Sequence, residues 1–168
     1  MSRTGLSDMV AAWHTESAIC QPVHMTRFVM ARCRATRLLW PLVRGEQHAE
    51  IADGVVRLRY GALGGFEVPV DTVDRLSTMR WPWWSGLGVR LGVRLVSFVG
   101  RPGQIALLEL DAPINVRAPI RWKTPRIAVG VEDVDGFLRA IAHERARVAA
   151  ERLSRRATSS LRICSRNW

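Results

Sequence analysis

The residue types that most often carry chemistry are present in this chain but dispersed. Histidines stand at His14, His24, His48 and His143, with no HxH or HExxH pair to grip a metal. Cys20, Cys33 and Cys164 are odd in number, far apart and without a CxxC pair, so neither a disulfide framework nor a zinc site is expected. A nucleophile elbow, a Walker loop and a GxGxxG fingerprint are all missing. Gly86-Leu87-Gly88 lacks the third glycine and precedes a strand pattern, so it reads as a turn. Glu109 and Asp111 come nearest to a carboxylate pair. Acid–base work, however, needs a pocket that perturbs both pKa values, and these two end a strand before Pro113. Glu144, next to His143 and three residues before Arg147, reads as an exposed helix face. The reading is non-enzymatic, with no catalytic residue, cofactor or metal assigned. A concave site that brought His48 or His143 within hydrogen-bonding distance of a carboxylate or thiol would reopen the enzymatic case.

Tryptophan is the sharper signal. Seven Trp stand against one Tyr and four Phe, and Trp81, Trp83 and Trp84 fall within four residues, flanked by Arg80 and Arg90. Indoles beside guanidinium groups suit an interface or a headgroup site. The competing reading, which is preferred here, has these tryptophans closing one end of the fold, with Gly86 and Gly88 allowing close packing. A second basic-aromatic group, Arg117, Arg121, Trp122 and Lys123 with Arg126, is either a solvated loop or the far wall of the same surface.

The elements that must position these residues follow from composition and period. A chain of 168 residues suits one domain with tails. Hydrophobic residues at 48% and charged residues at 24% exclude wholesale disorder. No apolar run approaches the roughly 18 residues of a membrane-spanning helix. The net charge of +10 sits mostly at the ends: residues 1–44 and 133–168 each carry +4, whereas 45–132 carry only +2. All basic residues but Lys123 are Arg, a skew that GC-rich codon usage explains as readily as phosphate recognition. Asp8, His14 and Glu16 break any secretory apolar region, and Met25 and Met30 are alternative starts.

Residues 1–24 admit a loose helix over Asp8 to Ser17. The stretch Met25 to Trp40, where Arg27, Arg32, Arg34 and Arg37 interleave with apolar residues, reads as a first strand or lead-in rather than an amphipathic membrane helix, since a 3.6 period is lacking. Asp53-Gly54 between two apolar runs predicts a type I′ hairpin, with Val56, Leu58 and Tyr60 on one face. Phe66, Val68 and Val70 alternate with Glu67 and Pro69, and Val73 to Met79 predicts a further strand. Val89 to Val99 predicts one long half-buried strand, and Gln104 to Leu110 a central strand covered on both sides. Asp111 to Pro125, with three prolines, predicts a long irregular loop; Ile127, Val129 and Val131 then close the sheet. From Asp133 a capped helix is expected, its stripe running through Val134, Phe137, Leu138, Ile141, Val148 and Leu153 and fading beyond.

The order of these motifs resembles the bacterial pleckstrin-homology-like domains, and more narrowly small bacterial proteins of that kind with no assigned function. The residues that carry the likeness are Ala49 to Gly54, Glu67 to Val70, Arg80 to Arg90, Leu108 to Pro113 and Ile127 to Asp133, followed by Phe137-Leu138, across roughly residues 38–150. What the resemblance implies is a mainly β fold, a bent seven-stranded antiparallel barrel capped by an amphipathic C-terminal helix, and binding or scaffolding rather than catalysis. Fold alone does not fix function.

The chain is therefore read as a leader over 1–37, a PH-like domain over 38–153 and a basic flexible tail over 154–168. Its expected role is a cytoplasmic binding or scaffold module, bound to a protein partner or peripheral at the inner, anionic face of the membrane through its Arg-rich ends, Arg27 to Arg44 and Arg139 to Arg166. The alternative is a nucleic-acid-associated protein that uses the same Arg and Trp residues. The near-neutral middle favours the first, because nucleic-acid binders place their cations on the folded face. The sequence assigns no small-molecule cofactor and no oligomeric state. A 45–153 fragment is expected to fold but to lose most affinity for acidic vesicles.

Overall fold

Period-two patterning converts into nine strands and one long helix in a computed structural model that describes residues 25–33, 45–118 and 120–164. The expected leader helix, Cys20 and the basic run from Arg34 to Arg44 lie outside the described residues. The strands are β1 (Thr26–Val29), β2 (Gln47–Ala52), β3 (Val55–Tyr60), β4 (Gly65–Pro69), β5 (Val73–Trp81), β6 (Gly88–Leu91), β7 (Val96–Val99), β8 (Gly103–Arg117) and β9 (Arg121–Val129). Helix α1 follows over Val134–Cys164.

The hairpin forms where Asp53-Gly54 places it. Asp53 has φ +52° and Gly54 φ +73°, the positive pair a type I′ turn needs, and Ala52 faces Val55 across it. The alternation beyond is as read: Val56, Leu58 and Tyr60 are buried, while Arg57 and Arg59 lie on the other face. Phe66 and Val68 enter the same core from β4.

The sheet runs β1-β2-β3-β4-β8-β9-β7-β6, with β5 branching off β8. It is open and nine-stranded rather than a seven-stranded barrel. One bridge, Met30 to Val131, ties the end of β1 to the chain just after β9. The expected all-antiparallel pairing fails at one place, because β7 runs parallel to β9, with Val96 opposite Ile127. The cause is the turn at Gly92. Its N–H donates to the Leu95 carbonyl at 2.8 Å, so the predicted single strand over 89–99 folds back on itself as the β6–β7 hairpin.

The predicted loop over Asp111–Pro125 is instead the far half of a long β8–β9 hairpin. Ladder pairs run from Ala106–Val129 to Glu109–Arg126, then resume at Ile114–Thr124 and continue to Arg117–Arg121. Pro113 and Pro125 both fall in the gap between those two runs. There an interrupted ladder asks no N–H of either, so the prolines mark a bulge and not a loop.

Two apolar clusters occupy opposite faces of β8. Ala106, Leu108 and Leu110 join the main core with Val56, Phe98, Ile127, Phe137 and Ile141. Ile105 packs with Trp81, Val99 and Ala128 in a smaller one. Coverage on both faces is what the apolar run over 104–110 predicted.

A first strand forms within the stretch 25–40 read as a first strand or lead-in, and the helix runs further than its apolar stripe. Strand β1 lies within the expected leader, Met30 is fully buried, and Phe28 meets Phe137 edge-on at 5.2 Å. A fragment starting at 45 would lose all of this. At the other end α1 continues to Cys164, past the expected fade at Leu153, since no Gly or Pro follows Gly136 and Ala, Leu and Arg favour helix. Its stripe holds at Val134, Phe137 and Ile141, but Leu153 is exposed. Glu144, expected outside the stripe, lies within it and is buried.

Candidate binding surfaces

The candidate residues separate onto two ends of β8. At its start, Trp81 pairs with Gly103 and is buried in the smaller cluster, its indole N–H donating to the Gly86 carbonyl at 2.9 Å. Gly86 serves this turn with φ +77°, and the Arg90 guanidinium occupies the space a side chain there would need. Trp83 and Trp84 do not close the fold. They are 75% and 72% exposed, packed edge-to-face on each other at 5.9 Å in a single 3-10 turn. The preferred structural reading is thus right for Trp81 and wrong for its neighbours. Pro82 splits them: Trp81 ends β5 on its inward face, and Pro82 then turns the chain out of the sheet. With Arg80, Pro102 and Gly103 they line a shallow cavity of about 700 Å³.

Arg117, Arg121, Trp122 and Lys123 gather at the opposite end. The 15 residues of β8 lie between, at about 3.3 Å each along the strand, so this group is not the far wall of the tryptophan surface. Trp122 faces Val116 and packs on the main core, while its indole N–H donates to the Gly92 carbonyl at 2.9 Å. That bond sets the β6–β7 turn beside the β8–β9 turn. Val93 at 89% exposure and Ile120 at 56% stand on the two turns. Arg94, Arg117, Arg121 and Lys123 lie on or next to the same turns, all exposed, and neither 91–95 nor 117–123 contains an acid. Sequence reasoning missed Val93, Arg94 and Ile120, because period two assigned 93 to a strand and Ile120 to an irregular loop. Arg126, counted with this group, instead reaches Glu109 at 3.2 Å.

A broader groove of about 800 Å³ lies along β3 and β4 beside this end, lined by Arg57, Arg59, Phe66, Glu67, Asn115 and Arg117 among others. Its floor needs glycine: a Cβ on Gly64 would sit 1.9 Å from the Arg117 carbonyl oxygen, and one on Gly65 2.0 Å from that of Leu58.

His48 is buried on β2, its Nδ1 3.0 Å from the Arg27 guanidinium. Arginine only donates, so Nδ1 accepts and Nε2 carries the proton. Burial, and then the Arg27 charge, hold its pKa below the usual histidine value. Glu46 stands 3.6 Å from Nδ1 and Glu50 3.9 Å from Nε2, both outside hydrogen-bonding distance. Arg27 also bonds Glu46 at 2.8 Å, so the group fastens β1 to the entry of β2. Among the described residues no three His, Cys, Asp or Glu side chains converge on a metal position.

Glu144 does structural work. One oxygen accepts the Gly54 N–H at 2.7 Å and the Arg147 guanidinium at 2.6 Å; the other accepts from Arg147 at 2.9 Å. The Arg147 bonds, aided by Gly54, hold its carboxyl below the usual glutamate range against the opposing effect of burial. The helix is thereby pinned to the tip of the β2–β3 hairpin.

Fold and surfaces together define a mainly β protein with one C-terminal helix and an open sheet, with Trp83, Trp84, Val93 and Ile120 exposed on its turns. No protein-family model matches the chain, and no curated protein and no solved structure does either. No helix among the described residues is long and apolar enough to cross a membrane.

Proposed function

We propose that this protein is a non-enzymatic binding module that docks reversibly on an anionic membrane surface, at the inner face of the cell membrane, through the turns 91–95 and 117–123. The carrying observation is exposed Val93 and Ile120 on two turns joined by the Trp122–Gly92 hydrogen bond, with four exposed cations and no acid within 91–95 and 117–123. Aliphatic tips enter the headgroup boundary, while each nearby cation contributes on the order of 1 kcal/mol against acidic lipid. The resemblance to pleckstrin-homology-like domains lends the reading no support, because a parallel strand pair is the finding that counts against it. The open sheet, the two additional strands and the parallel β7–β9 pairing depart from that family's barrel.

The test is co-sedimentation of the full chain with phosphatidylcholine vesicles, with and without phosphatidylserine. Binding should require the acidic lipid and release near half-molar salt, where the Debye length falls to about 4 Å. Val93→Asp combined with Ile120→Asp should abolish it. Equal binding to neutral vesicles, or full binding by the double variant, would sink the proposal. If duplex DNA competes far better than vesicles at equal charge, the nucleic-acid reading replaces it.

A further inference from the structure

Strand register sets four residues in one row across β3, β4, β8 and β9. Arg59 lies opposite Gly65, Gly65 opposite Arg117, and Arg117 opposite Arg121. Direct partners in a ladder share a face of the sheet. The neighbouring row shows which face this is: Leu58, Phe66 and Val116 are buried in the main core, whereas Arg59, Arg117 and Arg121 are exposed.

Like charges directly across a ladder oppose it, yet Arg117 faces Arg121. Among the described residues none of the three arginines makes an ion pair. The next row on the same outer face is balanced. There Arg57 lies between Glu50 and Glu67 and reaches both, at 3.5 and 3.8 Å. Glu46, the other acid lining the groove over β3 and β4, bonds Arg27 at 2.8 Å. Both acids of the groove are thus engaged, while Arg59 and Arg117 on its walls are not.

We propose that Arg59 and Arg117 form a clamp for a phosphomonoester, seated over Gly65 in that groove, with Arg121 adding charge behind Arg117. The Leu58 carbonyl requires glycine at position 65, and the absent side chain leaves a gap between the two arginines. Their backbones are two strand spacings apart, about 10 Å, and each side chain spans its half. The number of oxygens selects the ligand. A guanidinium fork takes two oxygens of an oxyanion, so one fork exhausts a carboxylate or the two free oxygens of a phosphodiester. A phosphomonoester presents three free oxygens and a charge near −2, so two forks can share it. Arg117 and Arg121 also belong to the docking turns, but the clamp needs neither Val93 nor Ile120, and a soluble probe therefore tests it apart from membrane docking.

Titration of the full chain with glycerol phosphate, followed by heteronuclear NMR at the Gly65 amide and the Nε–H groups of Arg59 and Arg117, tests the clamp. These signals should shift saturably at a pH where the ester is a dianion. Acetate at equal ionic strength should bind at least roughly tenfold more weakly. Arg59→Ala and Arg117→Ala should each weaken glycerol phosphate binding at least roughly tenfold, through loss of one charge-assisted fork. Arg75→Ala removes the same charge from β5 and should change it less than about twofold. Spectra unchanged away from the groove show each variant to be folded. Phosphatidic acid in phosphatidylcholine vesicles, in a co-sedimentation assay, is the second arm. Saturation by glycerol phosphate assigns a soluble ester; binding to phosphatidic acid alone, lost in Arg59→Ala, assigns a lipid headgroup; both support the clamp. It is overturned if acetate binds as tightly as the ester, if Arg59→Ala binds like the parent chain, if Arg75→Ala loses as much, or if neither probe binds.

Discussion

Glu144→Ala measures how much of the fold depends on the bond between helix and hairpin. The carboxylate accepts the Gly54 N–H at 2.7 Å from a side chain only 7% exposed. A hydrogen bond to a charged group contributes about 1.5–3 kcal/mol, and its loss leaves a backbone donor without its acceptor. Arg147 adds less. Its side chain is 36% exposed and keeps Glu151 as a second partner, so that pair is discounted to the surface value of below about 1 kcal/mol. Together these give a cost of about 2–4 kcal/mol for Glu144→Ala. Glu144→Gln keeps an oxygen for Gly54 and should cost about 1 kcal/mol. Urea unfolding followed by tryptophan fluorescence, with unchanged slope, gives both differences. The pH dependence follows from the lowered folded pKa of Glu144. Its stabilisation is complete above the ordinary glutamate value of about 4.3 and is lost as pH falls through the lower folded value, so the gap between the parent chain and Glu144→Gln should close in acid. His48, lowered by burial and then by Arg27, weakens the fold below about pH 6.5 in every variant and cancels in the comparison. The reasoning fails if Glu144→Gln costs as much as Glu144→Ala, or if Glu144→Ala costs under about 0.5 kcal/mol.

The tryptophans should separate by burial: Trp81→Ala costs roughly 3–5 kcal/mol in the same unfolding assay, whereas Trp83→Ala stays within about 0.5 kcal/mol, and similar costs for both would contradict the placement of Trp81 in the smaller core. A 45–153 fragment, which lacks β1 and the fully buried Met30, should show no cooperative thermal transition by near-ultraviolet circular dichroism, and a sharp transition near that of the full chain would show β1 to be dispensable.

Local patterns in the sequence determined a good part of this protein. Asp53-Gly54 set its hairpin because few dipeptides accept two positive φ values. Alternation from Val56 to Tyr60 and from Phe66 to Val70 fixed which face is buried, and the apolar run from 105 to 110 marked the strand packed on both sides. The helix from residue 134 was legible in its cap and stripe. Tertiary structure decided what alternation alone leaves open. Whether 89–99 is one strand or two depended on the Gly92 turn, whose return places Val96 and Phe98 beside β9. Whether Pro113 and Pro125 break a strand depended on their meeting in one bulge, a relation between residues far apart in the chain. Trp81, Trp83 and Trp84 look alike in sequence, yet burial belongs to the one that ends on the inward face of β5. Glu144 looked like helix surface until the Gly54 amide, 90 residues earlier, came to rest against it. Side-chain period is a local quantity, whereas strand partners, register and the company a polar group keeps are set only when distant segments pack.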